Sequence, residues 1–162
     1  MSRKRLASKG KRINPHYWVF CEGKTEEAYI SFLRSKYRLP IEIVTKIAGN
    51  KINEVFIRNY KQGKPTHEKD KDFLMFDADV PEIFEKLISV KSVILIASNP
   101  SIELWFLLHY KNITTCTTTI GCMRELSNRN RNQYQKGVID KPLENKLNEK
   151  CAEACKRSIK MK

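Results

Sequence analysis

A chain of 162 residues has room for one domain and a small appendage. With 41% hydrophobic residues and a mean hydropathy of −0.52 it can bury a single core, and its longest apolar run, Leu104 to Leu108, is far too short to span a bilayer. The 31 Lys and Arg against 18 Asp and Glu leave a net charge of +13, which attracts polyanions, with nucleic acid the commonest such partner and an anionic membrane surface the second.

Residues 1–13 carry Arg3, Lys4, Arg5, Lys9, Lys11 and Arg12 with no acid and read as a flexible basic arm; no apolar stretch follows, so they do not form a secretory signal. The five cysteines, odd in number and irregularly spaced, then point to reduced thiols in the cytoplasm. Tyr17 to Cys21 is a short continuous apolar run, as expected of a strand buried on both faces. Glu22-Gly23-Lys24 ends it. Thr25 is the expected cap of a helix that has Glu26 and Glu27 in its first turn and Tyr29, Phe32, Leu33 and Tyr37 at helical spacing.

A second strand is expected at 41–48 and a second helix around Ile52, Val55, Phe56 and Tyr60. A charged loop follows at 61–72. Phe73 to Phe76 is a third buried strand that runs into Asp77-Ala78-Asp79, and Pro81 suits the first turn of a third helix. Val93 to Ala97 is the clearest buried strand of the chain. It ends in Ser98-Asn99-Pro100-Ser101, with Asn99 the expected cap and Pro100 the first residue of an apolar helix reaching Tyr110. Such alternation predicts an α/β fold: a four-stranded, mainly parallel sheet with helices on both faces, over residues 14–112. From Lys111 onward 12 Lys or Arg face 5 Asp or Glu, and residues 113–162 read as a basic, mostly helical C-terminal extension. Its helices are expected near 120–127 and 143–158, loosely packed on the sheet.

In a doubly wound sheet, ligands bind at the carboxyl ends of the strands where the winding reverses. With strand 1 beside strand 3, Glu22 meets Asp77 and Asp79 there. Carboxylates so close repel one another, and a hard divalent cation, Mg²⁺ or Mn²⁺, is the natural neutraliser; it binds phosphate oxygens as readily as carboxylates. A single Glu-Gly after a strand is by itself only a turn, and an Asp pair before a helix is often a cap, so the signal lies in their combination. His109 reads as a satisfied core histidine. Cys116, Cys122, Cys151 and Cys155 lack the paired tight spacing of a zinc ribbon and read as idle thiols.

Three blocks carry a resemblance: Cys21-Glu22-Gly23-Lys24-Thr25-Glu26, then Phe76-Asp77-Ala78-Asp79, then Ser98-Asn99-Pro100-Ser101-Ile102-Glu103-Leu104-Trp105-Phe106-Leu107-Leu108-His109-Tyr110. Together they resemble the signature blocks of RloB-like proteins. The resemblance implies a Toprim-like (Rossmann-like) fold, a magnesium-dependent nuclease acting on DNA or RNA, a place in bacterial anti-phage defence, and as partners nucleic acid and a companion ATPase or restriction-system protein. It implies Glu22 as general acid or base or metal ligand, and Asp77 and Asp79 as the metal-binding pair. Glu103 joins them in the catalytic set, with capping of the amides near Asn99 an equal alternative. Lys24, Ser98 and Asn99 are the candidate substrate contacts. Val80 stands where the family often has a third acid. A non-catalytic nucleic-acid-binding or sensor subunit is the alternative function, and a nucleotidyl transferase of the primase kind the third.

Overall fold

The structure is a computed structural model that describes residues 14–115, 117–130 and 134–161. The basic arm expected at 1–13 and Cys116 lie outside them. Four strands, β1 (Tyr17–Cys21), β2 (Ile41–Val44), β3 (Lys71–Asp77) and β4 (Ile94–Ser98), form one sheet in the order β2-β1-β3-β4, all parallel. The helices are α1 (Lys24–Tyr37), α2 (Glu54–Lys61), α3 (Pro81–Ser89), α4 (Ile102–Leu108), α5 (Thr119–Asn130), α6 (Lys141–Glu149) and α7 (Cys151–Lys160). The chain moves outward from β1 to β2, returns to the other side of β1 as β3, and continues to β4. The winding therefore reverses between β1 and β3, the condition on which the meeting of Glu22 with Asp77 and Asp79 was expected.

Strand alternation divides the core. Trp18 and Phe20 of β1, with Leu74 and Phe76 of β3, turn to the face covered by Ile57 of α2 and Leu87 of α3. Val19, Cys21 and Met75 turn to the other face, where Ile30 of α1, Phe106 and Leu107 of α4, Leu126 of α5, and Leu143 and Leu147 of α6 cover them. Both faces of β1 and β3 are thus buried, which is why these strands lack a polar-apolar alternation.

Four expectations are corrected. The fourth strand is not the most buried one: β4 is an edge of the sheet, and Ile94 and Ile96 are 46% and 40% exposed, because among the described residues no strand pairs with its outer side. The second strand stops at Val44 rather than Ala48, and Lys46 takes a left-handed φ of 61°. The C-terminal helix expected at 143–158 is two helices separated at Lys150. Nor are the C-terminal helices loosely packed, since Leu126 and Leu143 are fully buried in the sheet core.

At the amino-terminal edge of the sheet one carboxylate gathers three donors. Asp70 accepts from the His16 amide (2.7 Å), the Trp18 indole (3.0 Å) and the His67 amide (3.0 Å). Burial raises its pKa, but these bonds and Lys61 outweigh that and hold it below the usual carboxylate value. A carboxyl whose folded pKa is depressed stabilises the fold above its unfolded pKa and loses that contribution as pH falls. Replacing Asp70 with Ala is expected to cost about 2 kcal/mol in urea denaturation at neutral pH, with the difference from wild type shrinking below about pH 4. A pH-independent difference would show that packing, not charge, is at stake.

Candidate active site at the switch point

The carboxyl ends of β1 and β3 are held side by side by the register Phe20 to Leu74 and Cys21 to Met75. Glu22 follows β1 directly and Asp77 closes β3. One cavity of about 430 Å³ is lined by Glu22, Gly23, Lys24, Thr25, Glu26, Asp77, Asp79, Glu103 and Lys136. It gathers the four expected carboxylates and Lys24. Ser98 and Asn99 do not line it. They line an adjoining groove, and the Ser98 carbonyl accepts the Ala78 amide (2.8 Å), tying the loop after β3 to β4.

Each carboxylate has a distinct footing. Asp77 Oδ1 accepts the Ile102 amide at 3.0 Å, so the first helical amide of α4 is capped from β3 rather than from its own loop. Asn99 is accordingly not the cap: the N-cap is Ser101, which makes no side-chain capping bond, and the helix starts at Ile102, two residues later than the sequence pattern implies. Asp79 caps nothing either, since Val80 is the N-cap of α3. Glu103, 1% exposed, accepts the Tyr134 hydroxyl on Oε1 (3.1 Å), and its buried Oε2 has no hydrogen-bond partner among the described residues. That bond, rather than capping of the amides near Asn99, is what the structure gives it.

Glu26 is the residue that sequence reasoning passed over. It lies one helical turn beyond Glu22, reads as an ordinary first-turn acid, and is 5% exposed. A Cβ on Gly23 would stand 2.9 Å from its Oε2, so a side chain there would push the carboxylate away. Thr25 is likewise not the cap of α1, whose N-cap is Gly23. Its buried hydroxyl instead accepts the Gly137 amide at 3.1 Å. Gly137 has φ +78°, and a Cβ there would meet Lys24 Cβ at 2.9 Å. A side chain at 137 is excluded twice, by the left-handed backbone and by contact. The turn brings Lys136 into the cavity and Tyr134 onto Glu103. A glycine beside a lysine in a polar stretch was the only hint of this in the sequence.

Crowding shows in the proton affinities. Asp77 is pushed up to about 7 by burial, then by Glu26, Glu103 and Glu22, against the restraining Ile102 bond. Glu26 is raised by burial and by Glu103 and Glu22. Glu22, exposed at the mouth, is raised by partial desolvation and by Asp79. Burial, followed by Glu103, raises the Tyr134 phenol, which remains a proton donor to that carboxylate.

Whether a divalent ion fits is a question of donor chemistry. Every acidic group here offers oxygen, the donor that Mg²⁺ and Mn²⁺ select, and the buried Glu103 Oε2 accepts no hydrogen bond from the described residues. Among the described residues, however, no three His, Cys, Asp or Glu side chains stand close enough to share an ion as placed. The donor set fits. Sharing would require the exposed Glu22 and Asp79 to turn inward.

A family model described as RloB-like protein matches residues 17–162. The chain belongs to the RloB-like family. No curated protein and no solved structure matches it. The match reaches past the sheet into the last helices, so in this RloB-like chain the segment bearing Tyr134, Lys136 and Gly137 is part of the family unit. No helix among the described residues is long and apolar enough to cross a membrane.

Raised carboxyl pKa values have a definite sign. Folded Asp77 holds a proton that the unfolded chain has already released, so its contribution is favourable at low pH and lost as pH rises through about 7. Asp77→Asn keeps an oxygen for the Ile102 amide and removes the charge. In chelator at about pH 8 it is expected to raise the melting temperature by about 3 °C, with the gain fading toward about pH 5. A variant less stable than wild type at the higher pH would show that the cluster is not under electrostatic strain.

Proposed function

We propose that this RloB-like chain is a Toprim-type, metal-dependent nuclease that hydrolyses phosphodiesters of DNA or RNA, serving bacterial defence against phage. The observation that carries this reading is the meeting of Glu22, Asp77 and Asp79 in one cavity at the winding reversal of a parallel sheet, in a chain of net charge +13. An acidic notch within a basic protein suits a cation shared between protein and phosphate.

Asp77 and Asp79, with Glu22, would hold Mg²⁺ or Mn²⁺, and Glu26 and Glu103 add negative charge behind them. The ion, when bound, supplies a Lewis acid for a phosphoryl oxygen and lowers the pKa of a water. The remaining tasks fall to the chain. Glu22, at the cavity mouth with raised proton affinity, takes the proton of the attacking water. Lys24 and Lys136 line the cavity, and their ammonium groups would meet the scissile phosphate's outer oxygens and favour the charge that develops there. Asp77 is fixed by the Ile102 amide and Glu103 by Tyr134, so these two carboxylates are held in place before binding, while the exposed Glu22 and Asp79 supply the movement that binding needs.

A second reading, a binding or sensor subunit without turnover, is favoured by one observation: no three acidic side chains are gathered at coordinating distance among the described residues. Incubating the protein with plasmid, single-stranded DNA and RNA separates the two. Cleavage that needs Mg²⁺ or Mn²⁺, stops in chelator, and falls by about a hundredfold or more in Glu22→Gln and in Asp77→Asn is the expected result. Salt-sensitive binding that survives both substitutions, with no cleavage of any substrate, would establish the second reading instead.

A further inference from the structure

The groove that takes in Ser98 and Asn99 has no part in holding the ion. It measures about 900 Å³, within the range of small-molecule sites, and lies against the carboxyl end of β4. Ser98 pairs with Asp77 in the β3–β4 ladder, so the groove opens one strand away from the carboxylate cavity. Its lining combines three chemistries. Leu104 and Trp105 of α4 supply apolar surface, Thr114 and Thr115 from the threonine cluster after α4 supply hydroxyls, and α7 brings Arg157 and Lys160. Thr114, Thr115 and Lys160 are exposed. Arg157 donates one guanidinium nitrogen to the Leu108 carbonyl at 2.6 Å, which anchors it at the groove, and a guanidinium has five N–H donors in all.

An apolar patch, hydrogen-bonding hydroxyls and two cations in one concavity match a nucleotide: a flat base, its polar edge and its phosphate. A fatty chain would leave the cations unused, and a bare anion would leave the apolar area unused. We infer that this groove binds one unpaired nucleotide of a single-stranded nucleic acid, the one flanking the phosphate held at the carboxylate cavity. The inference rests on the nucleic-acid reading above and sharpens it, since a base can enter the groove only where it is not paired in a duplex. The threonine cluster, which the carboxylate site leaves unexplained, thereby acquires a role.

The test is a titration of the isotope-labelled full chain, followed by amide and indole NMR signals in chelator. The probes are adenosine and cytidine 5′-monophosphate, a short single-stranded oligonucleotide, the same sequence as duplex, and inorganic phosphate. Saturable shifts at Thr114, Thr115, Lys160 and the Trp105 indole are expected with both mononucleotides. The single strand should bind more tightly than the mononucleotides, while duplex and phosphate should leave those signals in place. Thr115→Trp, which fills the groove, and Lys160→Glu should each weaken the shifts by about tenfold or more; for cleavage they should raise KM with kcat changed less than about twofold. Should Thr115→Trp fail to fold, Lys160→Glu, at an exposed helix position, decides alone. Equal shifts with inorganic phosphate, or nucleotide shifts that avoid these residues, overturn the inference. The two proposals fail separately. Groove binding without cleavage leaves this one standing and removes the nuclease; cleavage with KM unmoved in both variants does the reverse.

Discussion

Parallel pairing of β1 with β3 is the constraint on which the rest depends. The two strands are far apart in sequence, yet Phe20 lies beside Leu74 and Cys21 beside Met75. That register leaves Glu22 and Asp77 as the residues emerging next to each other at the carboxyl edge. A slip of one position would turn every side chain of β3 to the opposite face and put Phe76 and Leu74 against the wrong helices. Burial of both faces therefore enforces the placement of the acids, even though the acids gain nothing from it.

They lose by it, in fact. Asp77, Glu26 and Glu22 all carry raised proton affinities because desolvation and mutual repulsion oppose their charged forms. The opposing force is packing. Phe20, Phe76 and Phe106 are almost wholly enclosed, and side chains of that size are worth roughly 1.5–3 kcal/mol each when removed from water. Local hydrogen bonds do the finer placement: Ile102 to Asp77, Tyr134 to Glu103, Gly137 to Thr25. The groove beside β4 is built differently, from the exposed Thr114, Thr115 and Lys160 and the half-buried Arg157 around an apolar patch.

Much of this was legible in the residues. Continuous apolar runs at Tyr17–Cys21 and Phe73–Phe76 announced doubly buried parallel strands, and acids at their ends announced an edge rich in charge. The run in β4 misled, because Ile94 and Ile96 look like core but sit at the border of the sheet, and hydropathy does not record which strand has two neighbours. Asn99 and Thr25 looked like caps because their side chains suit the role. A carboxylate from β3 and a glycine loop from the C-terminal region claimed the relevant contacts instead. Glu26 was hidden by the ordinariness of an acid in a first helical turn. Lys136 and Tyr134 could not be placed at all without the fold, since nothing local says where a polar connection will land.

That connection orders events during synthesis. The lining of the carboxylate cavity runs from Glu22 to Lys136, and the amide of Gly137 closes onto Thr25. Sheet strands and the first five helices emerge from the ribosome before this turn exists. The nascent polypeptide thus carries every acid of the site well before it carries the lysine and the phenol that complete it. Assembly of the whole centre waits until translation has passed Gly137.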